Sequence, residues 1–193
     1  ILENLYNKGR VNSFEDLLLR FSIESVNKEF YNEISNLFFI LSGGVKKVKN
    51  RLIKTNAMIK LPLDNEEGYS EIKNFCVRLI GRIIFCWFLK KKKSSCGIPL
   101  VPYNILSSEL VNKGDYYHSV LEKLFFEVLN KQLAERSVRS DQIIDWDKIP
   151  FLNGGLFDPT THIDFYVSGV TNYAVKIPDQ WFCISGIAIG IGD

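Results

Sequence analysis

The sequence predicts a mainly α fold, an irregular multi-helix bundle with a small C-terminal β-hairpin region. Three observations carry this reading. Apolar residues recur at helical spacing over residues 23–41 and 72–88, glycine and proline punctuate the chain between periodic segments, and after Lys148 the helical period gives way to short runs such as IDFYV. At 193 residues, 46% of them hydrophobic and 13% aromatic, the chain can build one sizeable core. The expected division is a helical domain over 1–147, a β-hairpin and loop extension over 148–182, and an atypical tail over 183–193.

Each element follows from local chemistry. Ser13 with Asp16 three residues on makes a capping-box-like start, and Ser22 starts a second helix. In that second helix Ile23, Val26, Phe30, Ile34, Leu37 and Leu41 recur in steps of three or four, and Gly43-Gly44 ends it. The next stretch, VKKVKNRLIKTNAMIKLPL, places Val45, Val48 and Leu52 on a short helical stripe with Pro62 as its stop. Asp64 or Asn65 then caps a long helix whose acidic first turn, Glu66 and Glu67, suits its positive pole. Its apolar face is Ile72, Cys76, Leu79, Ile80, Ile83, Trp87 and Phe88, which places it centrally in the core. Gly97, Pro99 and Pro102 mark a loop before a short helix from Asn104 to about Val111. Gly114 and Asp115 start another, with Tyr117, Leu121, Leu124 and Val128 inside and Glu122, Lys123 and Glu127 outside. Residues 132–147 read as irregular or weakly helical. In KIPFLNGGLFDPT, Asn153-Gly154 between apolar residues is a type I′ hairpin signal, so Asn153, Gly154 and Gly155 form a structural turn.

Charge is informative through its distribution. The net charge is only +2, from 24 Lys and Arg against 22 Asp and Glu, too small for a nucleic-acid-like field around the whole molecule. Residues 45–63 nevertheless carry Lys46, Lys47, Lys49, Arg51, Lys54 and Lys60 with no acid, and Lys90, Lys91, Lys92 and Lys93 form a second run. Phosphate backbones are neutralised by such groups with little need for order. The backbone-contact candidates are therefore Lys46, Lys47, Lys49, Arg51, Lys54 and Lys90 to Lys93.

Catalytic chemistry finds little support. Cys76, Cys86, Cys96 and Cys183 form no CxxC pair and no zinc pattern with histidine, and read as reduced thiols in a cytoplasmic protein. Glu71-Ile72-Lys73 is the one acid-x-Lys pair of metal-dependent nuclease type, but Asp64 precedes it too closely and the pair falls at a helix start. Leu100-Val101-Pro102-Tyr103 lacks the polar first residue and second proline of an adenine-holding motif. Gly186, Gly190 and Gly192 have no bracketing strand and helix. His118 and His162 stand 44 residues apart without a nucleophile constellation, His118 reading as the polar side of its helix and His162 as a turn residue. No catalytic residue and no metal ligand is assigned. The longest apolar run, LIGRIIFCWFL, is too short to cross a bilayer, so no membrane is expected.

Three stretches in order, FSIESVNKEFYNEISNLF at 21–38, RLIGRIIFCWFLKKKK at 78–93, and YHSVLEKLFFEVLNKQLAERS through IPFLNGGLFDP at 117–159, carry a resemblance. Together they resemble the helical connector region of bacterial type IIG-like restriction-modification enzymes, in which a nuclease is fused to an adenine-specific DNA methyltransferase. The matching positions are Phe30, Tyr31, Arg78, Arg82, Phe88, Asn153, Gly154, Gly155, Leu156 and Phe157. The resemblance implies a noncatalytic connector that positions nuclease and methyltransferase domains of a parent chain and touches DNA backbone. It also implies that S-adenosylmethionine and Mg2+ belong to the parent, with no cofactor in this fragment. After Pro178 to Phe182 the family continues into an acid-containing helix, whereas this chain reads CISGIAIGIGD, the ending expected of a truncated frame. The competing expectation is a helical protein–protein interaction module with no DNA role. The residues do not define an oligomeric state.

Overall fold

The computed structural model describes residues 23–63, 68–152, 155–167 and 174–183. The expected caps at Ser13, Ser22 and Asp64 or Asn65, the Asn153-Gly154 turn and the glycines of the last ten residues lie outside the described residues. The chain divides into two compact units, Ile1–Asn36 and Leu37–Asp193. In the first unit, Phe30 and Tyr31 are exposed and meet edge to face, with centroids 6.1 Å apart. They belong to α1 (Ile23–Ser42), the helix expected from the 23–41 periodicity.

The fold is mainly α, as the periodicity predicts, but its one regular hairpin is not C-terminal. It is formed by β1 (Gly44–Val48) and β2 (Arg51–Thr55), paired antiparallel with Val48 opposite Arg51. The basic stretch expected to carry a helical stripe is therefore a β-ribbon. Two local features explain the difference. The two-residue loop Lys49-Asn50 takes positive φ at both positions, 44° and 64°, as a type I′ turn requires, and asparagine tolerates that region. At its other end, Gly43 at φ +69° turns the chain sharply out of α1, and a Cβ there would sit 2.4 Å from the Ala57 nitrogen. Only glycine fits.

The second unit is built on α2 (Gly68–Lys91), as its periodicity predicts. Phe75, Cys76, Leu79, Ile80, Ile83 and Cys86 form its buried seam. Burial lifts the Cys76 thiol to about 12 and the Cys86 thiol higher still, so neither is a ready nucleophile. The short helix after the Pro102 loop is α3 (Ser108–Val111), capped by the Ser107 hydroxyl.

The most enclosed helix lies over residues 116–129 rather than in α2. It carries π-type hydrogen bonding through Tyr117–Leu121 and Lys123–Leu129. Glu122 and Glu127, expected outside, are buried with it. Each is satisfied locally. Glu122 meets His118, while Glu127 accepts from Lys131 at 2.8 Å, Ser137 at 2.6 Å and the Tyr166 hydroxyl.

The segment after Lys148 contains no regular hairpin among its described residues; it closes over this helix and α2. Phe157 packs its ring 5.8 Å from Phe85 and 5.9 Å from Phe125, and Tyr166 lies 4.5 Å from Phe126. Its short helix α4 (Thr161–Asp164) delivers Asp164 to α2. Arg82 holds Asp164 at 2.6 and 3.0 Å with both groups buried, donates to Leu156 O at 2.8 Å, and lies over the Phe126 ring. Arg78 adds a bond to Asp164 at 3.1 Å and one to Asp158 O at 2.9 Å. Burial alone would raise the Asp164 carboxyl, but Arg82, the Thr160 N–H and Arg78 outweigh it and hold it below the usual carboxylate range.

Removing one partner of such a pair strands the other charge in the core. We expect Arg82→Met to cost about 3–5 kcal/mol in urea unfolding, and Arg82→Met with Asp164→Leu to recover a large part of that loss. Equal losses in single and double variants would show that the pair is not the anchor.

Candidate nucleic-acid interface

The ten residues of the two strands include Lys46, Lys47, Arg51 and Lys54, with Lys49 in the turn and no acid in the whole hairpin. Lys47, Lys49, Arg51 and Lys54 are exposed and Lys46 is half-buried. In an antiparallel pair, directly opposed residues share a face. The register therefore puts Lys46, Ile53, Val48 and Arg51 on one face, and Val45, Lys54, Lys47 and Leu52 on the other. Each face mixes cation and hydrocarbon. Leu52 is 74% exposed and Val45 60%, so among the described residues no layer covers these side chains.

The lysine run at the end of α2 behaves differently. Lys91, Lys92 and Lys93 are exposed, but Lys90 is buried and donates its ammonium to Leu106 O at 2.8 Å. Lys90 is thus a tie between α2 and the Pro102 loop, and it leaves the set of backbone candidates. The sequence treated these four lysines alike because they are adjacent. The helix separates Lys90 from Lys91, which point about 100° apart, and it ends before Lys92 and Lys93. The hairpin base lies at the start of α2, where Tyr69 closes on Gly44. The hairpin base and the exposed lysine run therefore lie at opposite ends of α2.

A second feature is a cleft of about 650 Å³ lined by Met58, Lys60, His118, Val175, Lys176 and Asp179 among others. Lys60 and Lys176 are joined by an antiparallel bridge, with N–H to O distances of 2.9 and 2.8 Å. Beside them the Asp179 carboxylate accepts the backbone N–H groups of Asp115 and Tyr116, each at 2.8 Å, and so caps the enclosed helix from outside. His118 lies in the cleft floor, buried rather than on a polar helix side. Its Nδ1 is 2.6 Å from Glu122 and its Nε2 2.7 Å from Val175 O. A carbonyl only accepts, so Nε2 carries a proton, and a further proton lies between Nδ1 and the carboxylate. Burial would lower the His118 value, but the bonds to Glu122 and Val175 and the nearby Asp115 charge together raise it.

The remaining sequence candidates fall apart from one another. Glu71 and Lys73, two residues apart on α2, project about 200° from each other rather than to a shared ligand, and the Lys73 ammonium lies 4.0 Å from the Tyr69 ring centre. Gly155 lies in a turn with open space around its α-carbon. Among the described residues no group of three or more His, Cys, Asp or Glu could hold a metal, and no helix is long and apolar enough to cross a membrane. The sequence reading missed His118–Glu122, although their i, i+4 spacing was available. It also missed Lys176 and Asp179, whose positions depend on long-range pairing.

A family model described as a domain of unknown function, DUF7814, matches residues 46–173, which takes in most of the hairpin, all of α2 and the enclosed helix. A protein of Methanocaldococcus jannaschii, provisionally named a type II restriction enzyme and methyltransferase, is 32% identical over 152 residues. That alignment covers 69% of this chain and 12% of the relative, so the chain spans about an eighth of the length of that protein. No solved structure matches the chain.

His118 gives a pH test of the cleft floor. Its value is raised on folding, so its contribution is complete below the unfolded value near about 6.5 and is lost as pH rises through the folded value. Urea midpoints of the intact chain should therefore fall as pH rises above about 6.5. His118→Gln should flatten that dependence, and an unchanged slope would show that the His118–Glu122 proton does not stabilise the fold.

Proposed function

The chain belongs to the DUF7814 family, and we propose that it is a noncatalytic helical connector of a restriction-modification protein, contacting DNA backbone through its basic hairpin. The observation that carries the connector role is that α2 is apolar on two faces. One face is the buried seam. The other presents Val77, Phe85 and Phe88 to solvent at 60%, 41% and 57% exposure. A helix that is hydrophobic all round is normally buried on all sides, so this open stripe suits a neighbouring domain of a longer chain. The similarity to a much longer restriction enzyme and methyltransferase supports the same reading, and nuclease and methyltransferase domains of the parent are the partners it implies. S-adenosylmethionine and Mg2+ would belong to those domains.

DNA contact is supported by the acid-free hairpin and by the exposed Lys91 to Lys93. The alternative, a protein-interaction module with no DNA role, shares the open α2 face but leaves the hairpin's concentrated charge without a use.

A labelled duplex titrated with the purified chain separates the two. The expected result is a shift that weakens steeply with salt and is lost when Lys47, Lys49, Arg51 and Lys54 are all changed to alanine. A duplex bound equally well by that variant, or not bound by the parent sequence at low salt, would remove the DNA role. Methylation or cleavage by the purified chain alone would overturn the noncatalytic reading.

A further inference from the structure

Backbone neutralisation explains the cations of the hairpin but not its hydrocarbon. Val45, Val48, Leu52 and Ile53 are all exposed, Leu52 most of all, and they alternate with the cations on both faces of a ribbon closed by its own turn. An isolated two-stranded hairpin is marginal in water, and apolar side chains open beside its cations call for a partner that covers them. A flat protein surface covers one face of a ribbon. A groove covers one face and also flanks both strand edges.

The charge says what kind of groove. Five cations and no acid in the twelve residues from Gly44 to Thr55 complement a polyanion. The major groove of B-DNA is about 12 Å wide and admits a two-stranded ribbon, whose strands lie about 4.8 Å apart. Its walls are phosphates, and its floor displays thymine methyl groups that apolar side chains contact. On this geometry the face carrying Leu52 and Val45 lies against base edges, while Lys47 and Lys54 of that same face and the Lys49-Asn50 tip reach the phosphates of the walls.

We propose that the hairpin Gly44–Thr55 inserts into the major groove of double-stranded DNA as a β-ribbon, with Leu52 and its apolar neighbours contacting base edges between flanking phosphate contacts. This rests on the DNA-contacting reading above and deepens it from backbone contact to groove entry. A patch of cations and hydrocarbon also suits an anionic membrane surface, and the unpaired strand edges suit self-association. Both are outcomes of the test.

The experiment uses the full 193-residue chain, a 30-base-pair duplex population of mixed sequence, and dimethyl sulfate modification of guanine N7 in the major groove. Groove entry predicts N7 protection, and it predicts that Leu52→Ser weakens duplex binding by roughly tenfold with its salt dependence unchanged. Changing Lys47, Lys49, Arg51 and Lys54 to alanine should instead make the salt slope shallower by about three to four. Leu52 is exposed, so its replacement should leave the urea midpoint unchanged, and this is checked alongside. DNA binding without N7 protection, and with Leu52→Ser as tight as the parent sequence, overturns groove entry while leaving backbone contact standing. An absence of duplex binding removes both. Leu52-dependent binding to phosphatidylserine vesicles, or Leu52-dependent dimerisation in sedimentation, overturns the proposal in favour of a membrane or a second copy if duplex binding is absent.

Discussion

One carboxylate organises the second unit. Asp164, at the end of a four-residue helix too short to stand alone, is gripped by Arg82 and Arg78 one turn apart on α2 and by the Thr160 N–H. Helices this short gain almost nothing from their own hydrogen bonds. The ion pair therefore fixes where the last third of the described chain meets α2, and Phe157 and Tyr166 pack over the enclosed helix on either side of it in sequence. A buried pair of this kind is weak evidence for stability on its own, because desolvating the two charges offsets most of their attraction. Its effect is positional: once both groups are buried, an arrangement that separates them is strongly disfavoured.

The same device recurs wherever regular structure is thin. Arg136 donates to Lys131 O, Trp146 O and Ile149 O, and so ties three points of an irregular segment with one guanidinium. Asp141 accepts the N–H groups of Ile143 and Ile144, and Asp179 those of Asp115 and Tyr116. Each charge takes up backbone groups that a helix or sheet would otherwise satisfy. A chain with near-neutral overall charge can thus spend many of its ions internally. Among the described residues, Lys47, Lys49, Arg51 and Lys54 of the hairpin and Lys91 to Lys93 at the end of α2 remain as exposed groups of cations.

What the sequence made legible was local. The periods of α1 and α2, the punctuation at Gly43-Gly44 and the irregular character of 132–147 follow from side chains a few residues apart, and the structure has them. The hairpin was misplaced because VKKVKNRLIKT satisfies a short helical stripe as readily as an alternating strand. Only the positive φ at Lys49 and Asn50 decides between them. The burial of Glu122 and Glu127 was not legible, since charged residues at helical intervals normally face water. Arg82 within LIGRIIFCWF was a readable sign, because a cation in an apolar run calls for a buried partner. Which acid answers it, 82 residues away, depends on the fold.

On the proposed reading, three surfaces serve three tasks. The inner seam of α2 holds the core, its open Val77–Phe85–Phe88 stripe suits a neighbouring domain, and the basic ribbon suits DNA. Amide hydrogen exchange of the full chain with and without duplex DNA tests this division most directly. The account predicts slowed exchange at Gly44–Thr55 and at Lys91–Lys93, with the α4 segment and the buried seam of α2 unchanged. Protection centred on the His118 cleft or on the open α2 stripe, with the hairpin unaffected, would contradict it.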